Sequence, residues 1–352
     1  MKMKKFFVIL LAFCMVISIT ACSAGSSTSQ KNDKLPLIGV SIFDYTNNFM
    51  GYVRYGIQNY SKGKAQLIIT DAQNSQTKQN NDIDTMISKG VKALCINPVN
   101  QQSATTINLK AKAAGIPVIY FNRDPSTPDM MTYDKCWYVG LDPTKGPTIQ
   151  AQEIQQAWKA DPSLDKNHDG VIEYVLIKGT PGNPDAETRT STVTSVMSQL
   201  GLTTKQLELQ AANFDTTKAK SLMETWIAKY GSQMELVICN NDAMAIGAIG
   251  ALQDNGYNAT SGDKYIPVIG MNSLPEAQPF IKSGAMLSDV LEDPYEQAVG
   301  VIKMAINGIN GKDITEGTGY TLDYTKAVRI PDVAITKDNL DVAAKAYDNC
   351  HK

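Results

Sequence analysis

Short apolar runs alternate with longer stretches of helical periodicity from residue 37 onward. The apolar runs are rich in β-branched residues and end in polar loops, whereas apolar and polar residues are mixed in the longer stretches. Strands that lack a polar face are typical of a parallel sheet covered by helices on both sides. The predicted strands are 37–43, 65–70, 91–96, 117–122, 171–178, 206–212, 236–239, 268–271 and 285–290. The predicted helices are 49–63, 81–89, 103–114, 146–160, 185–200, 217–229, 243–255, 275–283 and 295–310.

The pattern restarts after residues 138–142, and its two halves resemble each other. Residues 91–97 (VKALCIN) and 234–240 (MELVICN) each run from an apolar strand into a polar loop. Two lobes of similar construction imply a cleft between them, and open α/β sheets bind ligands beyond the carboxyl ends of their strands. The predicted fold class is therefore α/β, with two doubly wound parallel-sheet lobes.

Each lobe is predicted to combine two segments of the chain. The N-terminal lobe comprises 35–141 and 292–322, and the C-terminal lobe comprises 142–291 and 323–352. The chain would cross between the lobes at residues 141–142, near 292–293 and within 319–326. Three crossings suit a hinge that closes around a ligand.

The first 34 residues predict export from the cytoplasm. Lysines in residues 1–5 precede an apolar core at 6–19, which is too short for a stable membrane span. The core ends in Ile19-Thr20-Ala21-Cys22, which resembles a bacterial lipobox, and small polar residues follow. We therefore expect a signal peptide at 1–21, an acylated Cys22, a flexible tether at 22–34, and a location on the outer face of the cell membrane or in the periplasm. An ordinary signal peptide with a chance cysteine is the alternative.

The composition is that of a soluble globular protein. The 352 residues are 43% hydrophobic and 19% charged, which is ordinary for a chain of two domains. The net charge of −2 and the lack of a basic arm give no support for a nucleic-acid partner. The 6 cysteines show no spacing typical of a disulfide scaffold or a zinc site. We expect a monomer.

Residues 165–173 (DKNHDGVIE) place oxygen-bearing side chains at alternate positions, with a glycine that permits a sharp turn. An EF-hand would need a glutamate at position 12, but Leu176 stands there, within a predicted strand. A further ligand would therefore come from elsewhere in the fold. We predict a Ca²⁺ site, and the alternative is a polar turn without a metal. Its candidate ligands are the side chains of Asp165, Asn167, Asp169 and Glu173 and the carbonyl of Val171.

Amides, carboxylates and aromatic rings recur just after the predicted strands. Amides donate and accept at fixed geometry, an Asp with an Arg can share two adjacent hydroxyls, and aromatic faces pack on the C–H face of a pyranose. This set predicts a site for a neutral polyhydroxylated ligand. The alternative is that these Asn and Asp residues form turns and helix N-caps, in particular Asp185, which opens a helix. The candidates are Asn47, Phe49, Asn122, Asn183, Asp185, Arg189, Phe214, Asn241, Asn272 and Glu292.

No catalytic constellation is visible, so we predict that the chain is not an enzyme. One of the 2 histidines, His168, lies in the acidic loop and the other, His351, lies at the C-terminus. The stretch Gly179-Thr180-Pro181-Gly182 lacks the Gly-Lys-Ser/Thr that a phosphate-binding loop requires. An enzyme on a doubly wound fold is kept as an alternative hypothesis.

The chain resembles the D-galactose/D-glucose-binding proteins of bacterial ABC transporters, which belong to the type I periplasmic binding proteins. The resemblance extends over most of residues 37–340. It implies a Ca²⁺ loop closed by a distant glutamate, which falls on Glu235 here. The stretches that carry it are 38–42 (IGVSI), 48–50 (NFM), 75–80 (SQTKQN), 89–94 (KGVKAL), 165–170 (DKNHDG), 176–179 (LIKG), 184–187 (PDAE), 240–245 (NNDAMA) and 274–277 (LPEA).

The resemblance also implies a role for each candidate at the cleft. Phe49 and Phe214 would sandwich a pyranose, although the family has a tryptophan in place of the second ring. The residues that match the family's hydrogen-bonding positions are Asn122, Asp185, Arg189 and Asn241. The residues that depart from it are Asn47 and Asn272 (aspartate in the family), Asn183 (histidine) and Glu292 (asparagine). Each replacement still forms hydrogen bonds, but donors and acceptors have been exchanged.

The implied function is that of a substrate-binding lipoprotein, which delivers a monosaccharide to an ABC permease and ATPase complex. D-galactose, D-glucose or a methyl-galactoside is the expected ligand. One alternative is a receptor for a pentose or polyol. Another is a sugar sensor that acts on a chemoreceptor or another membrane signalling protein.

Overall fold

The computed structural model describes residues 34–258 and 264–352. The predicted signal peptide, Cys22 and nearly all of the tether lie outside the described residues. Among the residues that are described, no helix combines the length and apolar character needed to cross a membrane.

Six parallel strands form the first sheet, in the order β11-β5-β4-β3-β1-β2. Every residue of β3 and β4 is buried, as expected for central strands covered on both faces. The strands are β1 (Leu37–Ile42), β2 (Gln66–Asp71), β3 (Ala93–Ile96), β4 (Val118–Phe121), β5 (Cys136–Gly140) and β11 (Ala327–Arg329). The helices of this part are α1 (Asn48–Tyr60), α2 (Gln76–Ser88), α3 (Ala104–Ala114), α4 (Thr127–Met130) and α10 (Pro294–Asn310).

Four parallel strands form the second sheet, in the order β7-β6-β8-β9. Its strands are β6 (Ile172–Lys178), β7 (Thr204–Ala211), β8 (Leu236–Cys239) and β9 (Val268–Ile269). The strands β10 (Asp289–Leu291) and β12 (Val333–Ile335) pair antiparallel beside it. The helices of this part are α5 (Lys145–Ala160), α6 (Pro184–Gln199), α7 (Thr216–Tyr230), α8 (Asp242–Asp254), α9 (Gln278–Ser283) and α11 (Leu340–Asn349). Single turns of 3-10 helix are Gln101–Ser103, Pro162–Leu164 and Gly231–Gln233.

Close packing joins α1 to α10 in the first lobe. The buried residues of α1 include Met50, Val53 and Ile57, which recur at helical spacing on one face. Gly56 lies on the same face, and a Cβ there would stand 2.7 Å from the Cβ of Ala298 on α10. The missing side chain therefore allows the two helix backbones to approach closely.

The α/β class with doubly wound parallel sheets is confirmed, but two details of the chain path differ from the prediction. The assignment of 323–352 wholly to the C-terminal lobe is wrong for β11, which pairs with β5 in the first sheet. The third crossing consequently lies between β11 and β12, after the predicted 319–326. The cause is that β11, at 3 residues, is too short to show a recognisable apolar pattern.

The predicted strand 285–290 also differs from the structure. The strand β10 begins only at Asp289 and pairs antiparallel with β12, so this edge of the molecule is not purely parallel. Isolated bridges from Ile269 to Ser288 and from Asn272 to Leu291 run parallel and connect β10 to the end of the second sheet. Single bridges of this kind leave no periodic pattern that a sequence could show.

Candidate functional site

A cleft of about 680 Å³ lies where loops from both lobes meet at the strand ends. All ten predicted ligand-binding residues line it. Asn47, Phe49 and Asn122 come from the first lobe, whereas Asn183, Asp185, Arg189, Phe214, Asn241 and Asn272 come from the second, and Glu292 lies at a crossing between them. The topology has therefore assembled residues separated by up to about 245 positions into one surface.

Three of the asparagines are helix N-caps as well as lining residues. The Oδ1 atoms of Asn47, Asn183 and Asn241 accept hydrogen bonds of 3.0–3.1 Å from backbone N–H groups three residues later. The alternative hypothesis of capping is thus correct for these three oxygens, while for Asp185 it is wrong, because Asn183 caps α6. Within the described residues their amide nitrogens donate no hydrogen bond, so each amide presents a donor to the cleft.

Several lining residues have left-handed backbone conformations. The φ angles are +61° for Asn122, +62° for Phe214 and +119° for Asn272. A non-glycine residue in this region stores strain, and such strain is concentrated at functional sites. The side chain of Asn122 is fixed by Asn97, whose Nδ2 donates to Oδ1 of Asn122 at 3.2 Å.

Arg189 and Glu292 form a buried ion pair at the back of the cleft. Nη2 of Arg189 donates to Oε1 of Glu292 at 2.6 Å, and Nη1 donates to the carbonyl of Asn240 at 2.8 Å. Nδ2 of Asn272 donates to Oε2 of Glu292, also at 2.6 Å. Burial raises the pKa of Glu292, and the charge of Arg189 opposes that rise. The arginine is therefore held in place before any ligand arrives.

Asp185 differs from Glu292 in having no such partner. Among the residues that the structure describes, no group donates a hydrogen bond to its carboxylate. Burial raises the pKa of Asp185, and the charges of Arg189 and Arg123 oppose the rise. Asp185 thus offers an acceptor to a ligand hydroxyl.

Two phenylalanines supply apolar area on opposite sides of the cleft. Phe49 is buried at the start of α1, and Phe214 lies in the loop after β7. The ring of Phe214 packs directly on the backbone of Gly179, where a Cβ would fall 2.1 Å from the ring. Only glycine at position 179 leaves room for this ring position.

Phe43 and Arg123 also line the cleft, although they are absent from the predicted set. The guanidinium of Arg123 lies 3.5 Å from the centre of the Phe43 ring and donates to the carbonyls of Pro98 and Val99 at 3.2 and 2.9 Å. Burial lowers the pKa of Arg123. Both residues follow directly on strands β1 and β4, so considering every residue at those strand ends would have found them.

The acidic loop lies against Glu235, as the resemblance implies. The backbone N–H groups of Lys166 and Glu173 donate to the Glu235 carboxylate at 2.6 and 3.3 Å. Nδ2 of Asn167 lies 3.1 Å from Oδ2 of Asp169 and 3.4 Å from Oε2 of Glu173. Glu173 and Glu235 are both buried, and burial raises the pKa of Glu235, with the charges of Glu173 and Asp165 adding to the rise.

The chemistry of this loop fits a hard cation. The side chains of its candidate ligands all carry oxygens, and Gly170 turns the backbone with φ of +74°. In residues 34–258 and 264–352, however, no three acidic, histidine or cysteine side chains stand together in a ligating arrangement. The loop's own N–H groups bind the carboxylates instead, for example Gly170 N–H with Oδ2 of Asp165 at 2.9 Å. Lys205 lies 3.5 Å from Glu173, and the charge of Lys166 acts on Glu235. Several acidic side chains still converge on these two buried glutamates, which is an arrangement that suits a cation.

Comparison with known proteins identifies the family. Residues 38–313 match the model of the periplasmic binding protein domain. A D-galactose/methyl-galactoside binding periplasmic protein of Haemophilus influenzae is 40% identical over 93% of this chain and 96% of its own length. A ribose import binding protein of Bacillus subtilis is 30% identical over 83% of this chain and 89% of its own length.

A solved structure agrees with these relatives. The chain superposes on an ABC transporter solute binding protein of Bacillus halodurans with bound myo-inositol, at a TM-score of 0.75 and 25% identity. The match covers 90% of this chain and 100% of that structure. These relatives bind solutes, which confirms that the chain is not an enzyme. The chain therefore belongs to the type I periplasmic sugar-binding protein family.

Proposed function

We propose that this protein captures one monosaccharide in the cleft between its lobes and delivers it to an ABC permease and ATPase complex. The observation that carries the proposal is the cleft itself, in which all ten predicted binding residues meet. Its amide donors, its free carboxylate and its two phenylalanine rings match the hydroxyls and the C–H face of a sugar.

D-galactose, D-glucose or a methyl-galactoside is the first candidate ligand, because the relative at 40% identity is named for D-galactose and methyl-galactoside. A pentose or a cyclic polyol is the second, because other relatives are named for ribose or were solved with myo-inositol. Residue 47 sets a requirement that each of these ligands must meet. Since Oδ1 of Asn47 caps α1, only its N–H₂ group faces a ligand, which must present an oxygen as acceptor there.

Closure of the hinge would couple capture to delivery. A sugar that touches residues of both lobes stabilises the closed form, and a permease that recognises this form receives loaded protein only. The three crossings lie near the cleft, and Glu292 belongs to one of them.

Ca²⁺ would be held by the acidic loop and by Glu235. The ion would supply positive charge to the buried carboxylates and fix the loop, and it takes no part in sugar binding. The proposed ligands are the side chains of Asp165, Asn167, Asp169, Glu173 and Glu235 and the carbonyl of Val171, in a set typical of Ca²⁺ sites.

Acylation of Cys22 would keep the folded lobes beside the permease. A tether of about 12 residues reaches on the order of 20 Å as a random coil. We expect Cys22→Ala to move the protein from the membrane fraction to the soluble fraction, as measured by fractionation and immunoblotting. Unchanged membrane association of that variant would contradict the lipid anchor and leave the sugar site unaffected.

Titration calorimetry on the tether-free chain tests the ligand. We expect at least micromolar affinity for D-galactose or D-glucose. If only ribose or myo-inositol bound, the proposed role as a receptor would stand, and the proposed hexose ligand would be wrong. If a panel of hexoses, pentoses and polyols neither gave heat nor raised the melting temperature, the proposed function would be wrong.

A further inference from the structure

Glu292 uses both carboxylate oxygens inside the protein. Oε1 accepts from Arg189 and Oε2 accepts from Asn272, each at 2.6 Å. The residue is only 4% exposed, although it belongs to the lining of the cleft. Each oxygen keeps a second acceptor position, but at this exposure little of the carboxylate can reach a ligand. We therefore expect its contribution to ligand choice to act through Arg189.

Arg189 is fixed by the same contacts. Nη2 bonds Glu292, and Nη1 bonds the carbonyl of Asn240 at 2.8 Å. The side chains of the ion pair are 13% and 5% exposed. A free guanidinium fork binds a carboxylate through two parallel hydrogen bonds. Here the carboxylate of Glu292 already accepts from Nη2, one of the two terminal nitrogens of Arg189.

The remaining charges of the cleft are also unfavourable to an anion. The groups that line it include four carboxylates (Asp44, Asp185, Asp215 and Glu292) against two guanidinium groups (Arg123 and Arg189). The charges of Asp185 and Asp44 act on Arg123, whose bonded donors go to backbone carbonyls. In the described part of the cleft, each cation is therefore matched by an acid, and negative charge is in excess.

We propose, on the basis of the sugar-binding function above, that Glu292 determines specificity: by neutralising Arg189 it makes the cleft accept neutral sugars and reject acidic ones such as uronates. An incoming carboxylate would have to displace Glu292 from Arg189. That displacement would leave a buried charge without a partner, which is strongly unfavourable. Without Glu292, the fork of Arg189 would be free to bind the acid.

A matched pair of ligands isolates this effect. D-galactose and D-galacturonate differ only at C6, where CH₂OH is replaced by a carboxylate. If another neutral sugar is the ligand, it is paired in the same way with the acid formed by oxidising its terminal CH₂OH. In calorimetry, we expect wild type to bind the acid at least about tenfold more weakly than the neutral sugar.

The decisive variant is Glu292→Gln, which removes the charge and keeps the shape. We expect the ratio of the two affinities to fall at least about tenfold, chiefly because the acid binds more tightly. Glu292→Asn is the second variant, for use if Gln at this position lowers the folded fraction. The matched control is Glu208→Gln, because Glu208 is ion-paired with Lys229 outside the cleft. This control should leave the ratio unchanged.

Three results would overturn the inference. Wild type could bind the acid as tightly as the neutral sugar, or the ratio could stay constant in whichever Glu292 variant folds. The ratio could also fall equally in Glu208→Gln, which would show an effect of net charge alone. Failure of wild type to bind any neutral sugar would instead contradict the proposed function itself.

Discussion

Two regions of the molecule, the cleft and the acidic loop, bury glutamates and differ in what neutralises them. At the cleft, Glu292 meets a guanidinium at 2.6 Å. At the acidic loop, Glu235 meets backbone N–H groups, and Glu173 has only the half-exposed Lys205 at 3.5 Å. Because an unpaired buried charge is costly, the first region needs no ion, and we propose that the second takes one from solution. The partner of a buried carboxylate therefore indicates whether a site needs an ion from solution.

The largest losses of stability and sugar affinity should come from breaking the Arg189–Glu292 ion pair at the cleft. Arg189→Ala leaves Glu292 buried without its cation, which costs about 3–5 kcal/mol of unfolding free energy. It also removes the positive charge beside Asp185 and a donor for the ligand hydroxyls, so binding should weaken by at least about 2 kcal/mol. Denaturant titration and calorimetry measure the two losses.

A double variant provides the control for that prediction. Arg189→Ala combined with Glu292→Ala should lose less stability than the sum of the single variants, because no unpaired charge remains. Strict additivity, or a stability of Arg189→Ala within about 1 kcal/mol of wild type, would contradict the picture of a coupled buried pair.

The acidic loop should lose stability when metal is removed. With Ca²⁺ at 100 to 1,000 times its dissociation constant, chelation by EDTA should lower the unfolding free energy by about 3–4 kcal/mol. Sugar affinity should change little, because the loop does not line the cleft. Calorimetric melting with and without EDTA measures the effect, and Glu235→Gln should reduce it. The Ca²⁺ proposal fails if EDTA leaves the melting temperature unchanged and no ion co-purifies.

A third region holds two fully buried carboxylates, Asp242 and Asp289, and no cation pairs with either among the residues that the structure describes. Burial raises the pKa of Asp242 to about 6, and burial together with the charge of Asp242 raises that of Asp289 well above its usual value. An acid with a raised pKa in the folded state binds its proton more tightly there than in the unfolded chain. Stability is therefore lost as the pH rises from about 4 through the folded-state pKa.

The corresponding variant is Asp289→Asn, which removes one acid from the pair. Relative to wild type it should gain on the order of 1–3 kcal/mol between pH 4 and pH 8, because the share of the loss that comes from ionising Asp289 is absent from the variant. Urea titrations at both pH values give the difference, and Asp254→Asn, at an exposed ion pair, is the control. Parallel pH profiles for Asp289→Asn and wild type would show that the pair does not share a proton.

The smallest effect is expected at an exposed ion pair. Lys312 and Glu316 are about half exposed and lie four positions apart in the turns that follow α10, with their charged groups 2.5 Å apart. Because water screens such a pair, Glu316→Gln should change the unfolding free energy by no more than about 0.5 kcal/mol. The same denaturant titration as for Arg189→Ala applies. If Glu316→Gln lost as much unfolding free energy as Arg189→Ala, burial would not explain the difference in strength between the two ion pairs.

The sequence predicted most strands that contain a buried apolar run. β6 and β8 were found with bounds that agree to within one residue, because each contains such a run, Val175–Ile177 in β6 and Leu236–Cys239 in β8. The prediction missed β5, although its five residues are apolar. β11 and β12 were missed because three-residue strands are defined by their partners, not by their own pattern. A strand of that kind becomes visible only once the neighbouring chain is in place.

The sequence likewise located the residues of the site but not their hydrogen-bond partners. Strand ends located all ten candidate residues, since the topology brings those ends together. The partners of each group could not be predicted. The bond from Arg189 to Glu292 spans 103 positions, and only the folded backbone shows that Glu292 faces the arginine and not the ligand. Likewise, the sequence could not tell which atom of Asn47 remains for the cleft.

The helix N-caps at the cleft have a consequence for how such a receptor can evolve. Asn and Asp are about equally good at an N-cap, so exchanging them at position 47 preserves α1. The same exchange replaces the amide donor that faces the ligand with a carboxylate oxygen that accepts. The aspartate that the resemblance implies for the family and the asparagine at position 47 of this chain would be such an exchange. Sugar preference can therefore change by single substitutions while selection for a stable fold is left almost undisturbed.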